Sequence, residues 1–151
     1  MKIIIVLIAV ISMSIVGIFK NTSATPITGQ DTIPCQEIII KCTQSARGNY
    51  VIRSEKEYKD LLKIDSPYPD CASYQLPAID FSQYTLIGII TSSAGCAEPK
   101  TECNILKNID TDTYQVNLKI MQHGMCKINF SIDKWCLIPK IDDMANVEFI
   151  R

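Results

Sequence analysis

Two stretches late in the chain alternate apolar and polar residues with a period of two. In "YQVNLKI" Tyr114, Val116, Leu118 and Ile120 share one face, opposite Gln115, Asn117 and Lys119. In "INFSIDKW" Ile128, Phe130, Ile132 and Trp135 are set against Asn129, Ser131, Asp133 and Lys134. Such alternation predicts half-buried antiparallel strands, here joined across Gln122-His123-Gly124. Trp135 closes its strand as a core residue.

Tyr84 to Ser92 is a near-continuous apolar run with Leu86, Ile87, Ile89 and Ile90, rich enough in β-branched residues for a central strand. Residues 84–94 and 102–109 are expected to form a hairpin around an Ala97 to Glu102 loop. Asp110-Thr111-Asp112 turns the chain into the next strand. Gln36 to Thr43 with Ile38, Ile39 and Ile40, Tyr50 to Arg53, and Val147 to Ile150 supply further short strands.

One helix interrupts this pattern. Ser54-Glu55-Lys56-Glu57 forms a capping box, in which the Ser54 hydroxyl accepts from the Glu57 N–H while the Glu57 side chain reaches back, and Glu55 favours the positive helix end. Tyr58, Leu61 and Leu62 follow at helical spacing, predicting a helix from Glu55 to about Lys63 whose apolar stripe packs on the sheet. Ser66-Pro67-Tyr68-Pro69 ends it and opens a loop reaching to about Leu76. The fold class expected is mainly β, an antiparallel sandwich or partly closed barrel with one packed helix.

The first 24 residues change the picture from fold to compartment. Lys2 precedes an apolar run from Ile3 to Phe19, broken only by Ser12, Ser14 and Gly17, and Thr22-Ser23-Ala24 ends in a small residue. That is the pattern of a signal peptide cleaved after Ala24; uncleaved, the run would be a membrane anchor. The organisation expected is a signal peptide over 1–24, a flexible leader over 25–34 rich in Thr, Pro and Gly, and one domain over 35–151. The destination is periplasmic, cell-surface or secreted.

Charge narrows the function classes. The chain carries 15 basic and 16 acidic residues, and loss of Lys2 and Lys20 with the signal leaves 13 against 16, a formal charge of -3. No basic field attracts nucleic acid.

Seven cysteines follow the signal: Cys35, Cys42, Cys71, Cys96, Cys103, Cys126 and Cys136. Export places them where disulfides persist, and the odd count leaves at least one outside intramolecular pairing. Zinc ribbons and fingers need close C-x2-4-C pairs, whereas six residues separate Cys35 from Cys42 and Cys96 from Cys103; no C-x-x-C redox pair exists. The cysteines are therefore expected to staple the fold. Cys96 and Cys103 could face each other across the Ala97 to Glu102 loop. An extended chain keeps Cys35 from Cys42 and Cys126 from Cys136.

"LPAIDFSQYTLIG", residues 76 to 88, preceded by the "SEKEYKDLL" helix, resembles the PrcB-like domain of secreted bacterial protease-complex subunits. Leu76-Pro77, Asp80-Phe81-Ser82, Leu86 to Ile90, the Ser92 to Gly95 loop and Pro139-Lys140 carry the resemblance, which spans residues 50 to 150. The chain departs from it where a Gly-Gly-Tyr is expected, having Ser93-Ala94-Gly95-Cys96. Small exported proteins of this kind also look similar at Gly95-Cys96, Gly124-Met125-Cys126, Trp135 and Pro139-Lys140. That likeness implies a Cys96 to Cys126 bridge, in competition with Cys96 to Cys103. The family implies a noncatalytic role, stabilising or docking a partner at the cell envelope.

Candidate chemistry adds little. His123 is the only histidine and stands three residues before Cys126, but an exported cysteine beside a turn histidine is a poor thiolate nucleophile. Asn108, Asp110 and Asp112 occupy the first, third and fifth positions of a calcium loop, yet Thr113 replaces the glycine and Lys119 the bidentate glutamate, so a turn is the better reading. Asn129-Phe130-Ser131 fits an N-glycosylation pattern, which would carry no meaning if the source is bacterial, as the resemblance implies.

No catalytic residue, metal or cofactor is expected. The partner expected is a protein of the envelope or exterior, with no nucleic acid, and a membrane only if the N-terminal segment stays uncleaved. Contact candidates are Ser92, Ser93, Gly95, Glu98, Lys100, Lys140 and Asp142, since loops on a rigid sheet usually carry recognition. An alternative is a protease inhibitor inserting the Ala97 to Glu102 loop. A third choice is a small thiol enzyme using Cys126 and His123.

Overall fold

A computed structural model describes residues 29–41, 47–61 and 74–150. The signal segment 1–24, Cys42, Cys71, Leu62 and the Ser66 to Pro69 loop lie outside them. The described chain is mainly antiparallel β with one short helix, and its backbone is a single long hairpin. Strand β4 (Tyr84–Asn108) pairs along its length with β5 (Thr113–Pro139), from Tyr84 opposite Pro139 to Asn108 opposite Thr113.

The turn at 109–112 forms because the Asn108 Oδ1 accepts from the Asp110 and Thr111 N–H groups at 2.9 and 3.1 Å. Asp112 takes the left-handed conformation at φ 50°, which a short polar side chain tolerates. Lys107 closes the turn with an ion pair to Asp112 at 2.8 Å. Asn108 thus serves the turn rather than a cation.

Short strands flank the hairpin at each end. Strand β3 (Gly48–Ile52) lies against the first part of β4 and β2 (Gln36–Ile38) against the last part of β5, so one half of the sheet runs β3-β4-β5-β2. In the other half β1 (Gln30–Ile33) pairs with the end of β4, while β6 (Asn146–Ile150) runs parallel to the start of β5. The sheet is open.

Ile87, Ile89, Cys136 and Ile138 of the first half share one buried cluster with Ile105, Tyr114, Val116 and Leu118 of the second. The hairpin therefore doubles back on itself, and its two halves pack as the layers of a sandwich. The other face of the first half buries Leu86, Ile90 and Trp135 against Ile40, Ile52 and Tyr58, with Leu76, Ile79 and Phe81 around them. A strand covered on both faces needs consecutive apolar residues, which explains the unbroken run in β4.

Helix α1 (Glu55–Leu61) brings Tyr58 to that second face. Its start is fixed as the capping box requires: the Glu57 N–H donates to the Ser54 Oγ at 3.2 Å, and the Glu57 Oε2 accepts from the N–H groups of Ser54 at 3.2 Å and Arg53 at 2.7 Å. The buried Tyr58 hydroxyl donates to the Pro77 carbonyl at 3.2 Å, and its ring packs at 5.6 Å from Phe81. Burial and, secondarily, Tyr74 push the Tyr58 phenol up to about 12.

Gly88 faces Trp135 across the ladder, and the indole lies over it. A Cβ there would lie 2.6 Å from one indole carbon and 2.8 Å from another, with the Cζ3 atom closer still. Tyr50 stacks on the same indole at 6.0 Å. The expected core role of Trp135, which is 1% exposed, holds.

Four local expectations are corrected. Residues 84–94 and 102–109 do not form a hairpin; they are parts of the single strand β4, so the Ala97 to Glu102 segment is not a loop. Likewise 114–120 and 128–135 belong to one strand, and Gln122-His123-Gly124 leads into a bulge in β5 in place of a turn. The strand from Gln36 ends at Ile38, because beyond it Tyr74 takes the ladder's place: its hydroxyl accepts from the Lys41 N–H at 3.0 Å and donates to the Ile39 carbonyl at 3.4 Å. Within the leader expected over 25–34, Gln30–Ile33 is a paired strand, with Ile33 packed on the core.

Candidate interaction surface

A ribbon as long as β4 and β5 bends where its ladder is irregular, since an extra residue on one strand twists and re-aims both. The irregularities lie together. From Gly95 to Ala97 the partner on β5 jumps from Ile128 to His123, and from Ala97 to Lys100 it steps from His123 to Met121. Residues 124–127 are thereby left without a ladder partner on β4. Pro99 falls within the second irregularity, where its missing N–H breaks no ladder bond.

The bulge is stapled. Cys96 is bonded to Cys126 with Cα atoms 4.6 Å apart, and the Cys126 N–H points to the Cys96 Sγ at 3.2 Å. Gly124, at φ +73°, folds over this bridge so closely that a Cβ would meet the Cys96 sulfur and lie 3.1 Å from its Cβ. Beneath the bulge, Gln122 Nε2 donates to the buried Ser93 Oγ at 2.8 Å, tying β5 to β4.

What this rigid apex presents is partly apolar. Met125 is fully exposed and Ile128 is 55% exposed, one on each side of Cys126. His123, Lys127, Glu98 and Lys100 are exposed around them. Among the described residues the other exposed large apolar side chains lie elsewhere: Ile39 after β2, Tyr84 at the start of β4, Ile109 at the hairpin turn, Met144 before β6 and Ile150 at the end of β6.

The sequence candidates divide into two groups. Ser92, Ser93, Gly95, Glu98 and Lys100 gather along the apex portion of β4, but Ser93 and Gly95 are buried and support the apex from below. Lys140 and Asp142 lie beyond Pro139, at the far end of the same half-sheet, next to Tyr84. There they are structural: the Lys140 Nζ donates to the Arg53 carbonyl at 2.9 Å, and the Asp142 Oδ1 accepts from the Met144 N–H at 2.8 Å. The two groups do not form one site.

The cysteine expectations resolve in part. Cys96 pairs with Cys126, and the Cys96 to Cys103 closure is excluded because both stand on one strand. Cys126 consequently offers His123 no free thiol. Cys35 pairs with Cys136, Cα atoms 5.5 Å apart and 101 residues apart in sequence, and Cys103 is a free thiol. Among the described residues no three His, Cys, Asp or Glu side chains gather to hold a metal ion.

The sequence pattern groups Ile128 with Trp135, but the ladder is unbroken from 128 to 139, so the two residues, seven apart, stand on opposite faces. In the structure Ile128 is 55% exposed, opposite Gly95 where the regular ladder gives way to the bulge. Met125 was invisible as a contact because it directly follows the expected Gln122-His123-Gly124 turn, outside both alternating stretches; the Gly-x-Cys spacing around it was the available signal.

Fold and cysteines together define a disulfide-bonded, mainly antiparallel β domain, and two bonded pairs are typical of oxidising, extracellular or periplasmic settings. Searches against protein-family models, curated proteins and solved structures find no match.

Proposed function

We propose that this chain is an exported, noncatalytic binding protein that docks on, and stabilises, a secreted or envelope protein through the stapled apex of its hairpin. The observation that carries the reading is the pair Met125 and Ile128, held exposed on a disulfide-bonded bulge. Isolated exposed apolar residues need no explanation, but two flanking a covalent staple stand on a preorganised backbone, so little loop ordering is lost on binding. The signal-like N-terminus supports export, and the resemblance over residues 50 to 150 supports a docking role.

Burying Met125 and the exposed half of Ile128 is worth about 2–4 kcal/mol, or roughly 30- to 1000-fold in affinity. The test is capture of the partner from the exported fraction on the immobilised full chain, followed by the partner's half-life with and without the chain. Met125→Asp with Ile128→Asp is expected to abolish both capture and protection while leaving the melting temperature within about 2 °C. Equal capture by the double variant would remove the apex from the reading.

A further inference from the structure

Cys35 lies at the crossover between β1 and β2, the point where the chain passes from one half of the sandwich to the other. Its observed partner, Cys136, belongs to the half that β2 joins. The pairing of β1 suggests a second partner. Ile33 stands opposite Ile105, and carrying that register on by two residues sets Cys35 opposite Cys103. Residues directly opposite in an antiparallel pair have Cα atoms ~4.5–5.5 Å apart, which is within disulfide reach.

A second observation brings the three cysteines together. Cys35, Cys103 and Cys136 line one cavity of about 170 Å³, with Thr101, Glu37 and Lys134. Glu37 and Lys134 are ion-paired at 2.5 Å across β2 and β5. Cys103 is the half-buried free thiol of this group and packs on the same cluster as Cys136.

We infer that Cys35, Cys103 and Cys136 form an internal thiol–disulfide exchange site, in which Cys35 alternates between Cys136 and Cys103. The Cys103 thiolate attacks the Cys35 Sγ and a Cys35–Cys103 bond forms. The Cys35–Cys136 bond breaks, and its electron pair leaves with the Cys136 Sγ, which takes up a proton in place of the one Cys103 released. One disulfide replaces another, so no oxidant or reductant is consumed. The exchange moves the tether of the crossover from β5 to β4, that is, from one layer of the sandwich to the other.

The thiolate is the attacking form. Burial pushes the Cys103 thiol up, Lys134 of β5 draws it down and Glu37 of β2 pushes it up again; these are the two charged groups lining the cavity with it. Exchange is accordingly slow at neutral pH and accelerates as the solution is made alkaline.

The test is a disulfide map of the full-length exported chain, held without reductant or oxidant under inert gas at neutral pH and at about pH 10. Samples are quenched in acid, alkylated and digested. The expected result is loss of alkylation at Cys103, an equal gain at Cys136, and a new Cys35–Cys103 peptide at the higher pH, with Cys96–Cys126 intact. Cys103 still alkylated at every pH, or linked only to another chain, overturns the inference. In Cys136→Ser the inference requires a Cys35–Cys103 bridge in the folded chain, and alkylation of both residues counts against it. Where that variant fails to fold or the two maps disagree, the wild-type map decides.

Discussion

Gly88→Ala is the smallest change that tests the packing at the centre of the fold. The added methyl would occupy space already filled by the Trp135 indole, which lies within 3 Å of the new Cβ at three atoms. The indole has nowhere to retreat, since Tyr50 stacks on it at 6.0 Å and Leu86, Ile90 and Ile40 complete its surroundings. Overpacking of this kind costs about 1–3 kcal/mol, against ~0.4–1 kcal/mol regained from the lost freedom of glycine in the unfolded chain. Because the overlap is with a ring buried on all sides, the upper part of the range applies and the net loss is about 2 kcal/mol. At roughly 3–5 °C per kcal/mol for a domain of this size, the melting temperature should fall by about 6–10 °C.

Far-UV circular dichroism follows the melt, since the same substitution must also be made in Trp135→Leu, where the single tryptophan is gone. In that background Gly88→Ala should cost less than about 0.5 kcal/mol, giving a coupling of at least ~1.5 kcal/mol. A cost independent of the ring would mean that the glycine is needed for its backbone alone, and the close approach would be refuted.

Other consequences follow from the staples, the cap and the titrating groups. On the loop-closure estimate, removing Cys96–Cys126 (separation 30) costs about 3.6 kcal/mol and removing Cys35–Cys136 (separation 101) about 4.7 kcal/mol. Denaturant melts of the paired Cys→Ala variants should therefore rank the second as the less stable, and an unchanged melt under strong reductant would contradict both. Ser54→Ala should lose about 0.5–2 kcal/mol by removing the cap of the helix that carries Tyr58, measurable by urea titration. The Tyr58 phenol has its folded value raised above its unfolded one, so the stability it confers is complete below about pH 10 and is lost as pH rises toward 12. Phenolate absorbance should show a late step near pH 12 that Tyr58→Phe removes. Asp80 runs the opposite way: the Ser82 hydroxyl and N–H and the Gln83 amide hold its carboxyl below the usual range, so its contribution is present at neutral pH and lost as pH falls through and below that range. Asp80→Asn should slightly flatten the acid limb of a stability profile.

The helix and the ladder were legible in the sequence where local chemistry dictated them. The Ser54–Glu57 box, the Leu86 to Ile90 run and the alternation of 114–120 each carry a short-range signal that the structure obeys. The doubled hairpin was not legible, because its bend looks like two interruptions. Pro99 on β4 and His123-Gly124 on β5 are turn signals taken separately, and only their pairing across the ladder makes them one bulge.

The partner of Cys35 was hidden for a similar reason. Cys35 meets Cys136 through the register of β2 on β5, a contact over 101 residues that no spacing rule contains. The contact candidates Ser93 and Gly95 are buried because they stand on a strand, which turns alternate residues inward, and not in the loop where the sequence reading placed them. The apex was marked in the sequence chiefly by the Gly124-Met125-Cys126 spacing.

The most direct test of the apex as the docking surface is site-specific photocrosslinking in the exporting cell. A photoreactive residue at position 125 is compared with one at Lys59, which is exposed on α1, away from the apex. A discrete protein adduct from position 125 and none from position 59 is the predicted result. No adduct from position 125, or the same adducts from both positions, would contradict the account.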